Sequence, residues 1–521
     1  MKKWITANYH YMVPEFDQTS KVNADLSDFI ADVKRGVEKL GASCATPVIL
    51  GPVSIVRLMN FHTDAPGQAE ALLIQLLPVY KQLLKDLQGL GITEVQVHEP
   101  VLVHDDPALL PLFKKTYPSI CSVGGPSINM VSFFEDVGAD NYKWLTSVDE
   151  ISVISLDFTR GENIDLVEKF GFPSNKTLGV GIIDGRNVWK VDPAVAEAIL
   201  KKLSAKTATI RIQPSSSLQF IPWDLSCEKD ILAHTAGQVL SFTVQKIAEI
   251  SLVAKVVTGA ATFDNHKAAW VAYRTALAGD KSVTDRVNNL TEKDFAREEP
   301  FEVSNAYETL QIYNIIFDRC INLILFSFTS KVRRTKQLKG VPLLPTTTIG
   351  SFPQTPEVRR LRTQLKNNTI TKEQYNAAID KQIAHAIGIQ EALGLDIFVH
   401  GEAERTDMVE FFAQNMNGML FSTNGWVQSF GSRCVRPPIF WSDISRSKAM
   451  TTREFAVAQS LTSKPVKGML TGPVTILNWS FPRIDVSRET QAMQIGLVIR
   501  DEIADLEKVV SISNNIQFGS L

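Results

Sequence analysis

Cysteine is scarce in this sequence, and the five cysteines are scattered along it. They show no C-x-x-C spacing and no His/Cys cluster, which argues against a disulfide framework and against a local zinc motif. The sequence also lacks an excess of either charge: it contains 54 basic and 56 acidic residues. This balance gives no reason to expect nucleic acid or a membrane as a partner. Because the cysteines show no disulfide framework, a reducing cytoplasm is the expected location.

A long apolar run is missing as well. The first ten residues lack the apolar core of a signal peptide. The most apolar window, 315–328, contains Asp318 and Arg319 and is shorter than the ~20 apolar residues that cross a bilayer. We predict that it is a buried helix or strand. What the chain does have is length, because 521 residues, 44% of them hydrophobic, can form at least two domains with substantial cores.

Predicted strands and helices alternate through the first half of the chain. Strands are predicted at 45–50, 93–98, 151–158, 177–183 and 207–212, and helices at 67–88, 192–203 and 235–257. Strands that are separated by helical stretches are typical of parallel βαβ units, and their repetition favours a barrel over an open sheet.

The alternation stops at about residue 260 and resumes near residue 341. Strands are then predicted at 346–350, 396–400 and 466–470, and helices at 372–393 and 488–508. The first of these helices begins with Thr371 and Gln374 in capping-box spacing and is followed by Gly394. We therefore predict an N-terminal domain over 1–260, a helical connector over 261–340 and a second domain over 341–521.

Two segments of the chain are similar to each other. Both 48–55 and 469–476 contain Gly-Pro-Val, then Ser or Thr, then Ile. Chance similarity is one explanation, but duplication of a whole barrel is the better interpretation, because a helix is predicted after each copy. The first copy leads to a strand that ends at Glu99, whereas the same distance from the second copy leads to 516–521, which contains no acid. The second domain is therefore expected to be unfinished.

Barrel enzymes bind their substrates at the carboxyl ends of their strands, and polar residues lie at such places in the second half of the chain. Gly350-Ser351 offers backbone N–H groups and a hydroxyl that suit a carboxylate or phosphate; the alternative is an ordinary Ser-Phe-Pro turn. The segment 400–408 crowds ionisable groups, one of which can hold a substrate ammonium; the alternative is capping of a helix N-terminus. In such company His400 is more often a hydrogen-bonded structural residue than a metal ligand.

A third group consists of Arg433, in the segment 431–438, and Trp479, in the segment 477–482. A tryptophan just beyond a strand can stack on a flat heterocycle, and an arginine can bind a polar edge or a negatively charged tail. The alternatives are a core tryptophan and a surface arginine.

Taken together, these segments resemble the cobalamin-independent methionine synthase family. The matching stretches are 8–16, 50–54, 184–189, 345–355, 399–407, 424–428, 431–438, 464–475 and 500–507. They keep one order along the chain and span roughly residues 2–507, which makes the resemblance specific. A barrel of the uroporphyrinogen decarboxylase type is a weaker alternative, because it lacks the Gly-Ser-Phe-Pro and His-Gly-Glu-Ala-Glu-Arg combination.

The resemblance implies an α/β fold with two face-to-face (βα)8 TIM-type barrels. The first barrel is expected to lack its N-terminal part and the second its C-terminal half. The family transfers the methyl group of 5-methyltetrahydropteroyl polyglutamate to homocysteine, with zinc as the cofactor and without cobalamin. Its members act on small molecules, have no nucleic-acid or membrane partner, and are expected to be cytoplasmic monomers.

Carried over position by position, the resemblance implies a divided substrate site. It assigns homocysteine to Ile349, Gly350, Ser351 and Glu402, and the folate to Lys3, Arg433, Cys434 and Trp479. None of the family's zinc ligands and no catalytic residue, the proton-donating histidine included, is expected in this chain, whose resemblance ends at Glu507. The first hypothesis is a methyltransferase. The second is a non-catalytic fragment or an incomplete gene model that retains part of the substrate site.

Overall fold

The computed structural model describes residues 1–17, 19–61, 67–277, 279–295, 341–342 and 344–513. The apolar segment 315–328, most of the predicted connector and the segment 516–521 lie outside these residues. The chain forms two compact units: the first comprises Met1–Ala278 and Ser422–Pro437, and the second comprises Gly279–Phe421 and Pro438–Leu521. The domain boundaries at 260 and 340 remain predictions.

A six-stranded sheet lies at the centre of the first unit, and every neighbouring pair of its strands is parallel. The strands of this unit are β1 (Lys2–Lys3), β2 (His10–Tyr11), β3 (Glu15–Phe16), β4 (Val48–Leu50), β5 (Asn60–Phe61), β6 (Glu94–His98), β7 (Ser127–Val131), β8 (Ile151–Asp157), β9 (Thr177–Ile183) and β10 (Ile210–Pro214), with β12 (Val427–Gln428) and β13 (Cys434–Val435) from the inserted segment. The order in the sheet is β10-β9-β8-β7-β6-β4. β8 and β9 are buried along almost their whole length, as expected for strands of a parallel sheet that is covered by helices. The predicted α/β fold with a parallel sheet is confirmed.

Helices follow the strands of the first unit. They are α1 (Ser27–Leu40), α2 (Pro52–Leu58), α3 (Gln68–Gly89), α4 (Leu109–Cys121), α5 (Gly138–Ser147), α6 (Asn163–Phe170), α7 (Pro193–Ser204), α8 (Lys229–Ala233), α9 (Thr243–Val257) and α10 (Asp264–Ala276). The apolar stripe predicted for 67–88 is the buried face of α3, whose leucines and Tyr80 pack into the main core. This core lies between the sheet and the helices.

A buried glutamate joins β6 to α2. Glu99 is fully buried, and its carboxylate accepts hydrogen bonds from the N–H of Val53 (3.2 Å), the N–H of Ser54 (2.7 Å) and the hydroxyl of Tyr117 (2.6 Å). A Cβ atom on Gly51 would overlap this carboxyl group. The first copy of the repeated segment therefore requires glycine at position 51, because the acid packs against the backbone there.

The second unit consists mostly of helices. They are α11 (Lys281–Asn288), α12 (Glu292–Phe295), α13 (Pro356–Lys366), α14 (Lys372–Ala392), α15 (Glu410–Gln414), α16 (Thr452–Ser460), α17 (Pro473–Asn478) and α18 (Arg488–Ser513). Among the described residues of this unit, β11 (Asn417–Leu420) and β14 (Ile439–Ser445) pair antiparallel. The capping box predicted at the start of α14 is present, with Thr371 and Gln374 bonded in both directions. Within the described parts of both units, we find no helix long and apolar enough to cross a membrane.

The two copies of the repeated segment have the same local structure. Gly51 and Gly472 both have extended backbones, with φ/ψ of −73°/148° and −68°/155°, and each precedes a proline that begins a short helix. Proline suits the first helical position because the N–H that it lacks has no partner there. The longer helices predicted after the copies, at 67–88 and 488–508, are present as α3 and α18. Duplication of a whole barrel stays a prediction.

Several predicted elements of the second half are wrong. The segments 346–350, 396–400 and 466–470 are not strands. Phe398 and Val466 form an isolated parallel bridge, and the N–H groups of Asp396 and Ile397 both donate to the carbonyl of Thr346 at 3.1 Å. Their β-branched residues favoured strands, but too few neighbouring backbone groups pair to form a ladder. In the first half, the strand predicted at 207–212 begins at Ile210, because the N–H of Thr207 is bonded to Leu203 at the end of α7. The helix predicted from 235 begins at Thr243, after a short 3-10 turn.

Candidate functional site

The turn that follows Phe398 has an unusual backbone. Gly401 and Glu402 both lie in the left-handed region, with φ of 92° and 57°. This conformation is easy for glycine but uncommon for glutamate, where it costs on the order of 1 kcal/mol or more. The turn is fixed to the segment 346–355 by the N–H of Phe352, which donates to the carbonyl of Gly401 at 2.9 Å. A strained turn that is held in this way points to a functional role for the side chain of Glu402.

The carboxylate of Glu402 lies directly against Gly350. A Cβ atom on Gly350 would overlap Oε1 of Glu402 and would lie 2.7 Å from Cε of Met469. The structure therefore brings together two of the residues predicted to bind homocysteine. The other two flank Gly350 and face solvent: Ser351 is exposed, and residue Ile349 is 93% exposed.

Replacing Gly350 with alanine should displace the Glu402 carboxylate. We expect a loss of about 1–3 kcal/mol in the unfolding free energy of the second unit, as for other overpacked sites. Chemical denaturation measures this loss. Gly388→Ala on α14 is the matched control, since nothing lies within 4 Å of a Cβ added there. Equal stability of the two variants would show that the carboxylate does not depend on close approach to residue 350.

Arg405 organises the acidic residues of this turn. Its Nε donates to Oε1 of Glu404 (2.8 Å), its Nη1 donates to the carbonyl of Met469 (2.8 Å), and the same nitrogen lies 3.9 Å from Oε2 of Glu402. The guanidinium also lies over the rings of Phe411 and Phe412, at 4.9 and 5.3 Å. Arg405 thus links the strained turn to the chain near Met469. No role was predicted for Arg405 from the sequence.

His400 completes the cluster beneath the turn. Its Nε2 lies 3.0 Å from Oε1 of Glu404, and both side chains are buried. Burial alone would raise the pKa of Glu404, but the hydrogen bond with His400 and the charges of His400 and Arg405 lower it to about 2. Glu404 is therefore ionised at neutral pH.

Three buried polar atoms of this cluster lack a hydrogen-bond partner among the described residues: Nδ1 of His400, Oε2 of Glu404 and Nη2 of Arg405. Buried polar atoms in folded proteins are almost always paired, so several unpaired atoms in one cluster indicate a place for a ligand or ordered water. The unpaired Oε2 of Glu404 and the nearby carboxylate of Glu402 can both accept a hydrogen bond from a donor that enters the cluster. The arrangement suits a small cation such as an ammonium.

The residues predicted to bind folate are divided between the units. Cys434 lies on β13 of the first unit, and Arg433 immediately precedes it; both side chains are exposed. Lys3 belongs to the same unit and pairs with His10, which in turn bridges to Phe430. Three of the four residues thus belong to the first unit.

Trp479 belongs to the second unit. Its backbone N–H closes α17 by donating to the carbonyl of Thr475 at 3.0 Å, and its half-buried ring packs against a core cluster. The packing agrees with the alternative of a core tryptophan, although part of the ring remains accessible.

Comparison with known proteins covers both halves of the chain. The family model described as "Cobalamin-independent synthase, N-terminal domain" matches residues 1–208, and that described as "Cobalamin-independent synthase, Catalytic domain" matches residues 344–517. The chain belongs to the cobalamin-independent methionine synthase family. The predicted family is confirmed. The prediction that the resemblance ends at Glu507 is wrong, because the match continues to 517 and α18 runs without a break to Ser513.

Relatives with the name 5-methyltetrahydropteroyltriglutamate–homocysteine methyltransferase occur in bacteria and fungi. The protein from Trichodesmium erythraeum is 43% identical over 98% of this chain and 64% of its own length. The protein from Candida albicans is 39% identical over 97% of this chain and 63% of its own length. This chain therefore spans less than two thirds of these relatives. A solved B12-independent methionine synthase from Shewanella sp. W3-18-1 shows 16% identity, a TM-score of 0.34, and coverage of 47% of this chain and 70% of its own.

A zinc ion is expected in members of this family. Among the residues that the structure describes, no group of three or more His, Cys, Asp and Glu side chains could hold a metal ion. One ring nitrogen of His400 is engaged by Glu404, and the other faces a buried position without a partner. The described residues do not fit a zinc site, and no metal enters the chemistry derived from them.

Proposed function

We propose that this chain carries the amino-acid side of a methyltransferase that moves the methyl group of 5-methyltetrahydropteroyl polyglutamate to the sulfur of homocysteine, giving methionine. The names of the relatives support the reaction. The observation that carries the proposal is the Glu402 carboxylate, which a strained turn and Arg405 hold against the backbone of Gly350.

In this proposal Glu402 binds the ammonium group of homocysteine. Its side chain is only 13% exposed, so its charge acts in a poorly solvated place where an ion pair is stronger than in water. The backbone and hydroxyl of Gly350-Ser351, with Ile349, take the carboxylate end of the same molecule. The carboxylate end and the ammonium are neighbouring substituents of one carbon, and Gly350 and Glu402 are likewise in contact.

The folate side of the proposal follows the family. Lys3 takes the polyglutamate tail, and Arg433, Cys434 and Trp479 contact the rest of the folate. We also propose that the units are parts of (βα)8 barrels and that the protein is a cytoplasmic monomer that acts without cobalamin. The parallel sheet of the first unit supports the barrel, and the four cysteines that the structure describes as free support the compartment.

Isothermal titration with two thiols tests the amino-acid site. We expect homocysteine to bind at least about tenfold more tightly than 4-mercaptobutanoate, which lacks only the amino group, because a charge-assisted hydrogen bond to Glu402 is lost. In Glu402→Gln the preference should disappear. Glu391→Gln, which changes an exposed carboxylate on α14, should keep it. Equal affinities for both thiols in the unmodified protein would contradict the proposed role of Glu402.

A further inference from the structure

One segment of the second half of the chain folds with the first unit. Residues 422–437, called here the 422–437 hairpin, lie within the stretch that matches the catalytic-domain model, yet they form part of the first compact unit. β12 and β13 pair antiparallel within this hairpin, with Val427 opposite Val435 and Gln428 opposite Cys434. Two of the proposed folate residues, Arg433 and Cys434, lie at or next to its second strand.

A buried glutamate holds the base of the hairpin. Oε2 of Glu228 accepts the backbone N–H of Thr423 at 2.6 Å, and Oε1 accepts that of Asn424 at 2.7 Å. Glu228 is only 2% exposed. One carboxylate therefore binds two consecutive N–H groups, and hydrogen bonds to an ionised acceptor in a poorly solvated place are among the strong ones.

The ordinary role for an acid at this position would be capping of α8. Glu228 immediately precedes Lys229, the first residue of α8, but its side chain makes no capping hydrogen bond. The carboxylate instead reaches a segment that is 195 residues away in sequence. Its position is therefore determined by the hairpin rather than by its own helix.

The tip of the hairpin has a second attachment, to β2. The N–H of His10 donates to the carbonyl of Ser429 at 2.6 Å, and the N–H of Gly431 donates to the carbonyl of His10 at 3.1 Å. The imidazole stacks on the ring of Phe430, with 3.8 Å between centroids. Within the tip, the N–H of Ser429 donates to the carbonyl of Arg433 at 2.8 Å. This hydrogen bond fixes the backbone position of Arg433 relative to the tip.

We propose that Glu228 is a positioning residue for the folate: it holds the base of the 422–437 hairpin so that Arg433 and Cys434 are presented in one fixed arrangement. This inference rests on the proposed function, because the role of Arg433 and Cys434 as folate contacts is part of that proposal.

Glu228→Gln tests the inference with two measurements on the same protein. Glutamine has the size of glutamate but turns one acceptor into a donor, so it loses the charge and at least one of the two hydrogen bonds. We expect the amides of peptides from 422–437 to exchange with deuterium at least about tenfold faster, as for the loss of a charged hydrogen bond. We expect the dissociation constant for 5-methyltetrahydropteroyl triglutamate to rise by a similar factor, with homocysteine affinity unchanged.

Two further variants make the result decisive. Glu168→Gln, which changes a half-exposed carboxylate of the same unit that pairs with Lys202, should alter neither measurement. Glu228→Asp keeps the charge on a shorter side chain, so its exchange rates and its dissociation constant for the triglutamate should lie between those of the unmodified protein and Glu228→Gln. If Glu228→Gln does not fold, Glu228→Asp takes its place in the comparison. Unchanged exchange in the hairpin overturns the inference, and so does faster exchange with unchanged folate affinity. If the unmodified protein does not bind the triglutamate, the proposed folate role of the hairpin fails, whereas the exchange data still decide whether Glu228 anchors it.

Discussion

Replacing Arg405 with methionine should destabilise the second unit by about 3–5 kcal/mol, the range expected when one partner of a buried ion pair is removed. Arg405 is 5% exposed and is the cation nearest to two poorly exposed carboxylates, those of Glu402 and Glu404. Methionine keeps much of the packing on Phe411 and Phe412, so the change mainly tests the charge.

The same variant should weaken homocysteine binding by at least about tenfold, because Glu402 loses the group that orients it. Urea denaturation and isothermal titration measure the two effects. Arg453→Met is the matched control: this arginine pairs with Asp380 and Glu454 near the surface, where removal of a pair costs about 1 kcal/mol or less.

A double variant shows whether charge is the cause. Glu404→Gln combined with Arg405→Met removes one buried acid with the cation, and it should recover part of the lost stability. The dependence of the unfolding free energy on pH below 4.5, called here the acid limb, supplies a second check. The lowered pKa of Glu404 gives stability that is fully present above its ordinary value of 4.5 and is lost as the pH falls toward 2. Arg405→Met should make this low-pH loss of stability smaller, while the larger contribution of His400 remains. An unchanged limb and a double variant no more stable than Arg405→Met would mean that packing, not charge, explains the loss.

The parts of the fold that the sequence predicted are those decided by local patterns. β9 has the predicted bounds of 177–183, because its apolar run is long enough and is bounded by turn residues. The capping box of α14 was visible because its two members, Thr371 and Gln374, are three residues apart. The strands at 346–350, 396–400 and 466–470 failed because strand formation depends on pairing partners, which composition does not specify.

In the candidate site, too, local features could be predicted from the sequence and long-range contacts could not. Glu402 could be named from the motif, but its left-handed backbone could not, since glutamate gives no sign of that conformation in a sequence. Glu228 could not be predicted at all, because its partners are 195 and 196 residues away and its place before α8 suggests an ordinary cap. The long-range contacts that position functional residues therefore required the structure.

The second large effect concerns Glu99 and the pH dependence of the first unit. Burial raises the pKa of Glu99 to about 7, although the hydrogen bonds from Ser54, Tyr117 and Val53 oppose the shift. A carboxyl group whose pKa is higher in the folded state binds more protons there, so stability falls as the pH rises from the ordinary value of 4.5 to above 7. The loss amounts to about 3 kcal/mol.

Glu99→Gln should remove this dependence, because glutamine resembles the protonated acid in shape and stays neutral. The two proteins should have similar unfolding free energies at pH 5, and by pH 8 the variant should be the more stable by about 3 kcal/mol. Urea denaturation at several pH values measures the difference. Asp157, whose pKa burial raises to about 6, titrates in both proteins and so cancels. The Glu168→Gln control should follow the unmodified protein, whereas parallel profiles for Glu99→Gln would show that Glu99 is already ionised in the folded state at pH 5.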